Sequence, residues 1–345
     1  MFNPKPKIQF ILKRREDIGQ DPSYSQNGVS TGLLNSASFV VDMLKSNGFD
    51  VDLVVVTDNN CIDREVTRFK PDYCIIEALW VVPEKFDVLS KLHPSVKWIV
   101  RLHSETPFIA CEGIALKWFF EYIKKPNVYV GINAPRFLYE MQELTKAAHL
   151  DCSKILYLPN AYPLEFHKKA FDKKKDMIDI GCFEAVRPLK NHLMQAHAAI
   201  VFADRIGKKL NFHINIGRTE MKGEPVLHNL IGLFQHQPNH QLVMHQWCPH
   251  NEFKQIVRSM DIGMQVSFSE TFNIVTADLI SEGVPIVVSK EVPWANNWIC
   301  DPTSMKDILG GLYLAYKFSQ ISVAANVYGL KKFVRQTEKI WCNTF

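Results

Sequence analysis

Residues Ser267–Ser289 read SFSETFNIVTADLISEGVPIVVS, and the run just before them, DIGMQV (Asp261–Val266), is apolar. The apolar run predicts a buried strand that ends in a polar turn. The helix-patterned TFNIVTADLISE follows, Gly283 stops it, and VPIVVS predicts the next buried strand. The unit is strand, turn, helix, strand. Glu270 falls in the turn, and Asp278, eight residues on, is expected roughly two turns down the helix, about 12 Å along its axis. Between them the N–H groups of Thr271, Phe272, Asn273 and Ile274 are expected to form an anion site strengthened by the helix dipole. A diphosphate fits such a site, with a carboxylate on either side for hydroxyl groups. A glutamate at a helix start is also an ordinary dipole partner, and an aspartate on a helix an ordinary solvated charge; spacing alone decides neither.

Working outward, the same alternation runs through the chain. KIQFIL, VDLVVV, DYCIIEA, VKWIVRLH, NVYVGI and ILYLPN predict strands, separated by helical patterns such as STGLLNSASFVVDMLKSNG, EKFDVLSKL and APRFLYEMQELTKAA. A second series begins at MIDIGCF and continues through LKNHLMQAHAAIVFADRIG, NFHINIG, QLVMHQW and NEFKQIVRSM. Strands alternating with crossover helices predict parallel sheets. The polar, lysine-rich AYPLEFHKKAFDKKKD (Ala161–Asp176) between the series predicts a domain boundary. At 345 residues the chain is long enough for two ordinary domains. The expected division is 1–165, 166–322 and a helix over 323–345 that returns to the first domain. ALKWFFEYIKK (Ala115–Lys125) is basic and aromatic enough for a membrane surface or nucleic acid. Trp118 and Tyr122, at i and i+4, make core packing the first expectation.

Composition excludes some classes. No stretch approaches the roughly 18 apolar residues that span a bilayer, and the N-terminus reads as a first strand and not a signal peptide. The eight cysteines are dispersed without CxxC or Cys/His zinc spacing. Reduced thiols, a cytoplasmic location and a site without metal or cofactor are therefore expected. A net charge of +4 suits an anionic ligand, lipid or nucleic acid alike.

The segment with Glu270 and Asp278 resembles the carboxylate, seven residues, carboxylate signature of retaining GT-B glycosyltransferases, with aspartate where the second glutamate is usual. The resemblance implies an α/β fold of two Rossmann-like domains whose parallel sheets face each other across a cleft. It also implies a nucleoside-diphosphate sugar, UDP-linked, as donor and co-substrate. On it, Glu270 contacts the donor sugar and Asp278 the nucleotide ribose. In GCFEAVRPLKNH, Arg187 and Lys190 match the family's cations that neutralise the departing diphosphate; the alternative is a surface pair, disfavoured by the dipole at a helix start. Gly28, in GVSTGLLNSA, resembles the loop that closes over the donor phosphates. His103, ending VKWIVRLH, resembles a histidine that meets the donor sugar, although an isolated histidine is as often structural. Trp247 and Cys248 fall where the nucleotide base rests, with core packing the equal alternative for the tryptophan. Asn160 resembles a residue near the hinge. SETFNIVTAD and RPLKN also look similar to bacteriophage enzymes, which implies hydroxymethylcytosine in double-stranded DNA as acceptor and the host cytoplasm as location. A saccharide or lipid-linked acceptor, or a silent nucleotide-sugar-binding module, stands beside it.

Overall fold

The computed structural model describes residues 5–14, 31–219 and 222–345. These divide into two compact units, one of residues 5–14, 31–163 and 334–345, the other of residues 164–333.

In the first unit six strands form one sheet: β1 (Lys7–Lys13), β2 (Asp50–Val56), β3 (Tyr73–Glu77), β4 (Lys97–Leu102), β5 (Val128–Ile132) and β6 (Ile155–Tyr157). Their order is β2-β1-β3-β4-β5-β6, and every pairing is parallel. The alternation of side chains along a strand gives each face its own core. Ile11, Ile76 and Val100 face a cluster with Phe86, Phe119 and Tyr122. Phe10, Ile75 and Ile99 face the opposite way, against Leu158 and Trp341. Because both faces are covered, the strands read as continuous apolar runs. Trp341 lies near the end of the helix Ser319–Thr344, in the part counted with this unit; it is fully buried and donates its indole N–H to the Pro159 carbonyl at 2.8 Å. Tyr122 is fully buried and Trp118 packs beside it, so ALKWFFEYIKK fills core.

The second unit has a sheet of β7 (Met177–Gly181), β8 (Lys209–Asn215), β9 (His240–His245), β10 (Ile262–Gln265), β11 (Ile286–Ser289) and β12 (Ile299–Cys300). Its order, β12-β11-β10-β7-β8-β9, is again parallel throughout. This is the doubly wound arrangement, with its reversal between β7 and β10. Helices His192–Arg205 and Met305–Lys317 cover one face over Ile180, Phe212 and Met264. A further helix, Gly223–Gln235, was not expected from the sequence, where Gly223, Pro225 and Gly232 interrupt the pattern. Gly263 in β10 lets the helix Ile274–Ser281 lie close on the sheet, since a Cβ there would collide with the Leu279 side chain. That helix ends in a Schellman motif: Gly283, at φ 76°, donates to Ile280 at 3.1 Å, and Val284 to Leu279 at 2.9 Å.

Candidate functional site

β7 and β10 are neighbours at the point where strand order reverses, so the loops after them open together at the carboxyl edge of the sheet, where doubly wound folds place ligands. The loop after β7 carries Glu184, Arg187 and Lys190; the loop after β10 carries Ser267 to Asn273.

Buried amides sew the two loops together. Asn191 Nδ2 donates to the carbonyls of Val266 (3.0 Å) and Pro302 (2.8 Å). Gln195 accepts from Val266 N at 2.9 Å and donates to the Lys190 carbonyl at 2.8 Å. Phe268 N donates to Leu189 O at 2.9 Å, and Gln265 Nε2 to Phe183 O at 2.6 Å. These buried hydrogen bonds hold both backbones in one arrangement.

Lys190 and Glu270 meet in that frame. Lys190 Nζ lies 2.7 Å from Glu270 Oε1 and 3.2 Å from Glu184 Oε2. Only 6% of the Lys190 and Glu270 side chains and 18% of Glu184 reach solvent. Burial pushes the Glu184 carboxyl above the usual range, with Glu270 adding to the shift while Lys190 and Arg187 oppose it. Its backbone φ of 151° is one that side-chain-bearing residues rarely adopt. Arg187 directly precedes the short turn Pro188–Lys190. The adjoining His192 is fully buried, and burial, then the charges of Lys190 and Arg187, push its imidazole down to about 3, so the ring is neutral.

The expected anion site is corrected in its details. The helix begins at Ile274, not at Thr271. Asn273 takes a left-handed conformation at φ 61°, and its Oδ1 accepts from Thr276 N at 2.7 Å and from Thr276 Oγ1 at 2.9 Å. Asn273 Nδ2 donates to Gln265 Oε1 at 3.1 Å. Phe272 leaves the helical pattern because its ring is buried against Trp294 and Phe333 and its carbonyl accepts from Trp294 Nε1 at 2.8 Å. Thr271, Phe272 and Asn273 therefore precede the helix, and its open end begins with the N–H groups of Ile274 and Val275.

Asp278 is likewise not a projecting carboxylate two turns down. It lies just over one turn into the helix, is 1% exposed, and accepts from His250 Nε2 at 2.8 Å, on the helix His250–Ser259. Glu282 is bound by Lys254 (3.1 Å), His167 (3.4 Å) and Arg258 (3.8 Å). Trp247 and Cys248 follow β9 at the same sheet edge, both half-buried. The Trp247 indole N–H is buried with no hydrogen-bond partner, and the Arg218 guanidinium stands 5.9 Å from its ring.

In the first unit, His103 follows β4 and its Nε2 bonds Glu77, at the end of β3. Glu77 and Arg101 are both fully buried and paired at 3.0 Å; Arg101 also donates to Leu158 O (3.0 Å) and Asn160 Oδ1 (2.6 Å). Burial alone would raise the Glu77 carboxyl, but Arg101 and His103 outweigh it and hold it below the usual range. Burial keeps the His103 imidazole low despite Glu77. Asn160 is thus a buried partner of Arg101, and Glu105 pairs with Arg136. Gly28 lies outside the described residues.

Sequence reasoning missed Glu184 and His250. Glu184 stands within the quoted GCFEAVRPLKNH, in the loop after β7, and His250 follows Cys248 and Pro249 as the first residue of the helix after β9; the signal in each case was a polar, titratable residue just past the carboxyl end of a strand.

Several solved structures resemble the chain over nearly its whole length. Anabaena HepE in complex with UDP-glucose matches with a TM-score of 0.63 and 12% identity, covering 98% of this chain and 96% of that one. The UDP-forming trehalose-phosphate synthase of Burkholderia xenovorans gives 0.67 and 10%, covering 98% and 97%. The catalytic domain of starch synthase IV from Arabidopsis thaliana, bound to ADP and acarbose, gives 0.67 and 9%, covering 98% and 99%. No protein-family model and no curated protein sequence matches the chain. The chain has the GT-B fold: two α/β units, each with a six-stranded parallel sheet. No helix among the described residues is long and apolar enough to cross a membrane.

Proposed function

We propose that the chain is a glycosyltransferase that takes its sugar from a nucleoside-diphosphate sugar. The observation that carries this reading is the buried Lys190–Glu270 pair at the reversal point between β7 and β10, beside the open start of the helix Ile274–Ser281. The likeness to structures described with UDP-glucose, UDP or ADP supports it.

The diphosphate lies at that helix start and takes charge-assisted contacts from Lys190 and Arg187, which supply the neutralisation a departing diphosphate needs without a bound cation or cofactor. Glu270, released from Lys190, faces the sugar hydroxyls. The bond from the anomeric carbon to the diphosphate oxygen breaks, the bond to the acceptor oxygen forms on the same face, and the acceptor proton passes to the departing phosphate. Configuration is retained. Trp247 and Cys248 border the base. Asp278, itself buried, orients His250, which acts at the ribose. UDP is the nucleotide and a saccharide hydroxyl the acceptor, as the names of the trehalose-phosphate and sucrose-phosphate synthases among the similar structures suggest.

Incubation with nucleotide sugars, saccharide acceptors and hydroxymethylated duplex DNA, read by mass spectrometry, tests donor and acceptor together. A hexose added to a saccharide is expected; addition to DNA instead would reassign the acceptor. Glu270→Gln is expected to slow transfer at least about 100-fold in protein that still folds, with some loss of melting temperature because Lys190 gives up a buried partner. Undiminished turnover in that variant would refute the role of Glu270.

A further inference from the structure

We propose that Glu184 is a further member of the donor site, and that the site takes up one proton there when the diphosphate of a nucleotide sugar binds. This rests on the donor reading above. Lys190 is shared by two carboxylates, at 2.7 Å from Glu270 and 3.2 Å from Glu184; Lys190 and Glu270 are nearly shut off from solvent, and Glu184 is mostly buried. Without ligand, both carboxylates face Lys190, and Arg187 is near enough to act on Glu184. A diphosphate adds two negative charges to the same cations, and little water is present to screen them from the carboxylates. Lys190 cannot serve the ligand while it serves both glutamates.

Glu270 has a use once Lys190 turns to the ligand, since it accepts from sugar hydroxyls. Glu184 has none as an anion. The groups that act on it are Lys190, Arg187 and Glu270, with the buried Cys182 thiol nearby and His192 beyond Lys190. Burial pushes the Cys182 thiol up, so it stays protonated throughout, and His192 is held neutral by burial and by the two cations. Glu184, already pushed up by burial and by Glu270, is where a further negative charge next raises proton affinity. As a neutral carboxylic acid it releases Lys190 and becomes a hydrogen-bond donor beside the diphosphate. The proton comes from solvent and returns to it when the nucleoside diphosphate leaves.

The probe is UDP-glucose, whose diphosphodiester carries no group that titrates near neutrality. Isothermal calorimetry in buffers of different ionisation enthalpy counts protons, and the pH dependence of Kd between pH 5.5 and 8.5 counts them again. The wild type is expected to take up protons and to lose affinity with rising pH, by at most about tenfold per pH unit. Glu184→Gln, close to the neutral acid in shape, is expected to bind with no proton uptake and a flat pH profile. Glu270→Gln is expected to keep the uptake. Binding without uptake in the wild type, or uptake that survives Glu184→Gln and vanishes in Glu270→Gln, overturns the assignment while leaving the donor reading intact. Failure of UDP-glucose and every other nucleotide sugar to bind overturns the donor reading and this proposal with it.

Discussion

Replacing Lys190 by methionine keeps the length of the side chain and removes its charge, which leaves Glu184 and Glu270 facing each other across the space the ammonium held. From their distances to Nζ the two carboxylates are at most about 6 Å apart. At an effective dielectric constant of about 20 their repulsion is about 3 kcal/mol. Breaking a buried ion pair from one side costs about 3–5 kcal/mol in all, and the second unit is expected to lose that much at pH 8. The loss should shrink in acid. Glu184 has a folded-state proton affinity above its unfolded value of 4.5, and removing Lys190 raises it further. Between 4.5 and the raised value the folded state binds more protons than the unfolded one, so stability climbs as pH falls through that window and levels off below it. Hydrogen exchange of the β7 and β10 amides at pH 8 and pH 5.5, corrected for intrinsic rates, reads the second unit by itself. Adding Glu184→Gln to the variant should recover much of the deficit at pH 8. A deficit under about 1 kcal/mol, or one of equal size at both pH values, would refute the reasoning.

Two further outcomes concern the first unit. Trp341→Ala removes a fully buried ring, its hydrogen bond to Pro159 and its contacts with Phe10 and Arg101, so a loss of about 3–5 kcal/mol is expected in urea unfolding. Glu77→Gln strands the buried Arg101 charge and should destabilise at pH 7. Because the Glu77 carboxyl is held below its unfolded value of 4.5, its stabilisation is present above that pH and lost as pH falls through the lowered value. The gap between wild type and variant should therefore narrow in strong acid, as urea midpoints at successive pH values would reveal.

The strands were legible where burial on both faces makes them continuous apolar runs; KIQFIL and DYCIIEA carry no other reading. β12, with two residues, leaves no periodic trace. Lys190 and Glu270 were legible as types in loops at strand ends, but their contact spans 80 positions of sequence and depends on β7 lying beside β10. The late helix start was hidden because Phe272 fits the helical period equally well, and Trp294, 22 positions on, draws its carbonyl away. Asn273 reads as an interior residue until its left-handed backbone and its bonds to Thr276 are seen. His250 and Asp278, each unremarkable in its own helix, become a pair only through packing.

Trp341 also bears on how the protein is made. The six strands of the first unit leave the ribosome early, yet the face bearing Phe10, Ile75 and Ile99 is completed by a tryptophan near the end of the chain. All of Leu164–Phe333 must be translated in between. At about 5–20 residues per second that is a delay of roughly 10–30 s, during which the nascent sheet exposes an apolar face to other chains and to chaperones. Among the described residues the second unit lies wholly between Leu164 and Phe333 and meets no such wait, so the half begun first is the half finished last.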